Sequence, residues 1–247
     1  PGRDTSLAGA PFKAQAEQTL RNMKAVLDGA GVGVAQLLRT TVYLSDIADW
    51  GEIDAVYREF FGDVRPARTV IACGPLHFGF RIEIEEAVLL VDPWLTGNPM
   101  FPADREDEAV QGATHILLTH AHGDHASDAA RLAKKLGIKI HCIHELSEWL
   151  AGQGAEVVGF GKGGTLHLNG AKVTMVHAVH SASIDFTGKG LLPAGDAAGF
   201  MIAGEGHTIY LSGDTDIMAD MAWMGEYHQP DIGILACGGH YTMDMDR

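Results

Sequence analysis

Leu20, Met23, Val26 and Leu27 recur at helical spacing within residues 12–27, and Gly29, Gly31 and Gly33 follow as stops. That pattern predicts a first helix. LRTTVYL, residues 38–44, is rich in β-branched and aromatic side chains and reads as a strand. A second helix is expected over residues 47–61, capped by Ser45 or Asp46. Two strands then follow, at 68–72 and 80–88, joined by a Gly-Pro turn. Helices and strands in this order read as an α+β unit.

Beyond residue 88 the pattern changes. Short apolar runs alternate with helical stretches and Gly-rich turns: VLLVDPW, HILLTH, a helix after Ser127, KIHCI, KVTMVHAV, TIYLSGD and DIGILAC. Polar residues recur at the strand ends: Asp92, His120, Asp214 and His240. This is the layout of an α/β sandwich whose functional groups sit on loops held by a rigid sheet.

Composition sharpens the division. Of 13 histidines only His77 precedes residue 115, which puts the chemistry in the second unit. At 247 residues each unit is long enough to bury a core. The formal charge of −14 argues against a nucleic-acid backbone as partner. No apolar run approaches the roughly 20 residues of a membrane span, so no membrane partner is expected. A small-molecule substrate remains. PGRDTSLAGA has neither the basic end nor the apolar stretch of a secretion signal, and its first residue is Pro1, so the natural start is expected upstream. Cys73, Cys142 and Cys237 form no CxxC pair, as expected of reduced thiols in the cytoplasm.

The densest chemistry is LLTHAHGDHAS, residues 117–127. Neutral imidazoles and a carboxylate that converge in space suit a divalent ion. In a loop leaving a strand, His120 and His122 can share one ion, and a tight turn at Gly123 would aim Asp124 and His125 at a second. Downstream candidates are His180 in VHAVHSAS, Asp214 in YLSGDTD and His240 in CGGHYTM. The expected site holds two metals: His120, His122 and His180 on one, Asp124, His125 and His240 on the other, Asp214 bridging. A metal ion lowers the pKa of bound water from 15.7 to about 7, so hydroxide would be available at neutral pH. Asp124 would orient that nucleophile and pass a proton to the leaving group. The expected reaction is hydrolysis of an ester-like bond: lactone, phosphoester, thioester or amide. Zinc is the first expectation from the His-rich shell, with manganese credible because of the carboxylates.

THAHGDH, an isolated His, SGDT and GGH, in that order, resemble the metallo-β-lactamase superfamily. VDPWLTGNP, GGTLHLNGAKVTMV, SASI, AAGFMI and GGHYTMD resemble its branch of small metal-dependent hydrolases related to L-ascorbate-6-phosphate lactonase. The likeness spans residues 89–247 and implies an αββα sandwich. It makes Asp92 the first-strand aspartate that supports the metal loop, and favours His180 over His177. His115, His141, His144, His167, His207 and His228 match no ligand position and are expected to be structural or exposed.

KAQAEQTLRNMKAVLDGAG, LLRTTVYLSDIADWGEIDAVYREFF, RPARTV and RIEIEEAV resemble the reactive-intermediate deaminase (Rid, or YjgF) family over residues 8–88. That likeness implies a chorismate-mutase-like α+β fold and trimers with sites between subunits. It gives Arg68 the role of holding a substrate carboxylate, and Glu83 that of helping water attack an imine. The family's opening strands have no counterpart before Phe12, so the fold would be partial, with an open sheet edge. Val70 stands where many members carry Cys, and Asp54 where Asn is common. By the likeness the hydrolase part is expected to be partial too, since related hydrolases open with a hairpin before DPWLTGNP and continue into a further helix after GGH.

The expected organisation is thus a unit at 1–88 and a hydrolase unit at 89–247, with 77–92 serving one or both: LHFGFRIEIEEAVLLVDPW reads as the closing strand of the first unit and also as an opening hairpin of the hydrolase. The leading expectation is a dinuclear metal-dependent hydrolase. The alternatives are an imine deaminase in the first unit, or a non-catalytic oligomerisation module fused to an incomplete hydrolase.

Overall fold

The computed structural model describes residues 11–29, 31–44, 47–72 and 80–243. The chain divides into two units, residues 1–76 and 77–247.

In the first unit, helix α1 (Phe12–Gly29) precedes strand β1 (Arg39–Leu44), helix α2 (Trp50–Phe61) and strand β2 (Ala67–Ala72). β1 and β2 pair in parallel, from Arg39 opposite Ala67 to Leu44 opposite Ala72, so α2 forms the crossover. Ile53, Val56, Tyr57 and Phe61 face one side of α2 at helical spacing and bury against Ala16, Leu20 and Leu44. The expected second helix begins later than its pattern, because Ile47–Asp49 forms a 3-10 turn before α2. The expected caps Ser45 and Asp46 lie outside the described residues, as do Cys73, His77 and the Gly-Pro turn.

The second unit opens with a hairpin, β3 (Phe80–Ile84) and β4 (Ala87–Val91), so of the two readings of this segment the hairpin holds and the single strand over 80–88 does not. Glu85, at φ 51°, and Glu86 make the turn that breaks it. There follow α3 (Glu106–Ala109), β5 (His115–Leu117), α4 (Gly123–Ala126), α5 (Ala129–Leu136), β6 (Lys139–Ile143) and α6 (His144–Gly152). Then come β7 (Val157–Phe160), β8 (Thr165–Leu168), β9 (Ala171–His177), β10 (Ser183–Ile184) and β11 (Leu192–Pro193). β12 (Ala198–Gly204), β13 (His207–Leu211), α7 (Asp220–His228) and β14 (Ile232–Ile234) complete it. One sheet has the order β3-β4-β5-β6-β7, parallel beyond its opening hairpin. The other runs β14-β13-β12-β9-β8 and is antiparallel except where β13 meets β14.

Alternation along the strands builds the layers. Val173, Met175, Phe200, Ile202 and Leu211 of the second sheet share one core with Leu89, Val91, Ile116 and Ile140 of the first. Their neighbours Val176, Met201 and Tyr210 point the other way and pack with Met224 of α7. β4 and β5 are buried through Leu89, Leu90, Ile116 and Leu117 because Leu132 of α5 and Leu146 and Leu150 of α6 belong to the same core. The result is a helix–sheet–sheet–helix sandwich. Each fully buried side chain of this size contributes roughly 1.5–3 kcal/mol.

His141 lies within this sandwich on β6, 3% exposed, 5.2 Å ring to ring from His115. Burial, with the charges of His115 and Lys139, pushes its imidazole down to about 4. The unfolded chain therefore binds the extra proton first, so this stabilisation is complete above pH 6.5 and fades as pH falls toward 4. Between pH 7.5 and 5 that loss amounts to about 2 kcal/mol. Urea unfolding at the two pH values should show His141→Leu losing less stability than the parent by that amount; equal losses would contradict it.

Candidate metal centre

The site grows from the end of β4. Asp92 follows that strand at φ 48° and is buried. Its Oδ1 accepts the Thr119 N–H at 2.8 Å; its Oδ2 accepts the Thr119 hydroxyl at 2.6 Å and His125 Nδ1–H at 2.9 Å. An ionised carboxylate only accepts, so these donors fix the proton positions around it. With its proton on Asp92, the Thr119 oxygen accepts from His120 Nδ1 at 3.0 Å. His120 Nε2 is left as a bare lone pair, a tautomer set from outside the ring. Burial first, then the neighbouring His125, His122 and His180, hold His120 well below the usual imidazole range, so it stays neutral.

That lone pair faces His122 Nδ1 at 2.9 Å. Two imidazole nitrogens at this separation need a proton or a cation between them. Two ligands on one tetrahedral zinc stand about 3.3 Å apart when each bond is 2.0–2.1 Å. The His180 ring completes the cluster, 5.1 Å from His120 and 5.2 Å from His122. Ligand atoms of His120, His122 and His180 lie within 4.8 Å of one another, and so do those of His120, His125 and Asp214.

Asp214 arrives from the second sheet. Gly213 has φ 58°, and a Cβ there would stand 2.8 Å from both the Ala198 oxygen and Thr119 Cβ. Only glycine permits this approach. The Ala198 N–H also donates to the Thr119 backbone carbonyl at 2.9 Å, tying the two sheets at the site. Asp214 Oδ2 is 3.6 Å from His125 Nε2 and 3.8 Å from His180 Nε2, so it faces both groups. Burial raises its pKa, but the His125 interaction outweighs burial and lowers it. For His125 burial depresses the pKa, yet Asp92 and Asp214 prevail and push it up to about 10. A cation entering here would displace that proton.

Five of the seven expected ligands therefore gather in two groups that share His120. Asp124 is half-exposed, its Oδ2 3.8 Å from His125 Nε2, and belongs to neither. His240 is exposed, its ring 4.4 Å from Tyr241, and also stands outside both groups. His177 faces Lys162 Nζ at 3.1 Å and belongs to neither. His207 pairs with Asp231 at 2.6 Å. Gly123 is not the tight turn expected: it begins α4, so Asp124 and His125 ride on a helical turn.

Sequence reasoning missed Thr119 and Asp128. Thr119 sits inside the motif, and its hydroxyl was the available signal. Buried Asp128 accepts the N–H groups of Leu95 at 2.8 Å and Thr96 at 2.5 Å, and Arg131 Nε at 2.9 Å. It thereby clamps the DPWLTGNP loop to α5, and no spacing announces that. Arg131 is itself held by Glu106, whose carboxyl Arg131 and Lys135 bring down to about 2.

The two residues implied by the deaminase likeness are engaged elsewhere. Arg68 on β2 binds Asp54 at 2.6 Å and lies over the Tyr57 ring at 4.6 Å. Glu83 lies on β3 of the second unit, exposed and paired with Arg81 at 2.6 Å.

Comparison with known proteins gives the family. The beta-lactamase superfamily domain matches residues 88–246, and the endoribonuclease L-PSP family matches residues 2–90. A UPF0173 metal-dependent hydrolase of Paracoccus denitrificans is 66% identical over 172 residues, 69% of this chain and 74% of that protein. The metallo hydrolase Igni18 of Ignicoccus hospitalis is 30% identical over 69% of this chain and 71% of its own, with a TM-score of 0.59. A possible metal-dependent hydrolase from Veillonella parvula shares the fold at 22% identity and a TM-score of 0.53, over 66% of this chain and 69% of its own. The chain belongs to the UPF0173 metal-dependent hydrolases of the beta-lactamase superfamily. It is an enzyme, and its second unit is the hydrolase.

Removing the Asp92 carboxylate strands three buried donors, each costing about 1–3 kcal/mol when unsatisfied. Asp92→Ala should therefore destabilise the metal-free protein by about 3 kcal/mol or more in urea unfolding, and Asp92→Asn by less. A loss under about 1 kcal/mol for the Ala variant would show that these bonds do not organise the site.

Proposed function

We propose that the second unit hydrolyses an ester-like bond (lactone, phosphoester, thioester or amide) in a small molecule, using two divalent ions. The observation that carries this is the pair of ligand groups sharing His120, with Asp214 facing both. His120, His122 and His180 would hold one ion; His125 and Asp214 would hold the other. The neutral His120 ring, its lone pair directed at His122, fits a cation better than a packed core does. When bound, such ions acidify water and polarise a carbonyl or phosphoryl oxygen. The chain's own part is to hold geometry and move protons. Asp92 and Thr119 hold the rings; Asp124, half-exposed beside His125, orients the attacking water and passes its proton to the leaving group. The imidazole-rich set favours zinc, and Asp214 admits manganese. The reading does not require His240.

We read the first unit as part of a chorismate-mutase-like module rather than a second active site. The supporting observation is that the Arg68 guanidinium already carries the Asp54 carboxylate.

Elemental analysis of the purified protein should find about two zinc or manganese ions per chain. EDTA should abolish turnover in a panel of lactone, phosphodiester and thioester substrates, and added metal should restore it. His122→Ala and Asp214→Ala should each lose metal and reduce turnover at least 10²-fold, in line with removal of a ligand rather than its support. A variant with full metal content and activity would overturn the assignment.

A further inference from the structure

We infer that Asp185 is a positioning residue of this centre: its carboxylate ties the turn bearing His122, Asp124 and His125 to the segment bearing His180. The inference rests on the metal-site reading above. The chain leaves β9 through His180 and Ser181 and enters the small antiparallel hairpin β10–β11. Just past β10, Asp185 Oδ1 accepts the Gly123 N–H at 2.8 Å, across 62 residues of sequence. Gly123 is the first residue of α4, whose leading N–H groups have no intrahelical acceptor and whose own N-cap, His122, makes no side-chain cap. Asp185 supplies the acceptor from another segment.

Two further contacts make the tether specific. A Cβ on Gly123 would stand 3.2 Å from both Asp185 Oδ1 and Phe186 Cβ, so the glycine makes room for the hairpin. Phe186 packs edge-on against Trp149 of α6 at 5.8 Å and against the main core, anchoring the hairpin from behind. Ser181 Oγ meanwhile approaches His122 Nε2 at 3.4 Å. The hairpin thus closes a loop of structure: His180 at one end, the HAHGDH turn at the other, Asp185 fastening them. The Asp185 side chain is exposed, so its part is alignment rather than core packing.

The test compares the full chain with Asp185→Ala and Asp185→Asn. Zinc affinity is read by chelator competition, and amide hydrogen exchange is followed over residues 120–126 in the metal-free proteins. Asp185→Ala should weaken zinc binding 10–100-fold and speed exchange of the Gly123 amide. Asp185→Asn, which keeps a carbonyl acceptor, should restore both toward the parent. Unchanged exchange and affinity in the Ala variant would overturn the inference, as would an Asn variant behaving like Ala. Faster Gly123 exchange in the Ala variant, with no zinc bound by any of the three proteins, would support the tether and overturn the metal reading instead.

Discussion

A carboxylate buried behind a central strand must have its lone pairs filled, and Asp92 fills its own with the parts of the metal motif. An unpaired buried carboxylate costs several kcal/mol. Here the donors that offset this cost are the Thr119 amide, the Thr119 hydroxyl and His125 Nδ1. Satisfying the charge and orienting the rings are therefore one event. The same three bonds hold β4 beside the exit of β5, turn the first helical turn after it, and select the tautomer of His120 through Thr119. Asp92 tolerates a left-handed φ, which costs a non-glycine residue roughly 1–2 kcal/mol, because this network over-determines its position.

The second constraint is the meeting of two sheets. Asp92, His120, His122 and His125 come from the first; His180 and Asp214 come from the second. Neither set alone makes up the two groups of neighbouring ligand atoms. What unites them is close backbone approach at the sheet ends, where Gly213 lies against Thr119 and the Ala198 amide donates to the Thr119 carbonyl. Thr119 thus serves twice, as relay to His120 and as the seam between sheets. The apolar core beneath, with Phe200 and Ile116 fully buried, keeps that seam in register.

Much of this was legible in the sequence. The alternation of apolar strands and helices after residue 88 reads directly as an α/β sandwich, because strand and helix periods leave different traces. Boundaries were less legible. The run from Phe80 to Val88 admits two readings, one closing strand or the first part of an opening hairpin; Glu85 and Glu86 make the turn that decides for the hairpin, and turn formation by two glutamates leaves little compositional mark. In the first unit the 3-10 turn before α2 likewise has no signature beyond residues that also suit a helix.

The site divides along the same line. His120, His122 and His125 were legible because six residues of chain cannot carry their rings far apart. Asp214 was legible as a carboxylate at the end of an apolar run, although the close approach its neighbour Gly213 permits is a long-range fact. His240 follows β14 by six residues of glycine-rich chain, and that length of backbone leaves its ring too many places to stand. Asp54 and Arg68 make the converse case. An arginine that a family likeness reads as waiting for a substrate carboxylate finds one on the neighbouring helix, one Asn-to-Asp difference away. A carboxylate held at 2.6 Å competes with any incoming acid on equal chemical terms and without the entropy of association, which supports the proposal that the first unit is not a second active site.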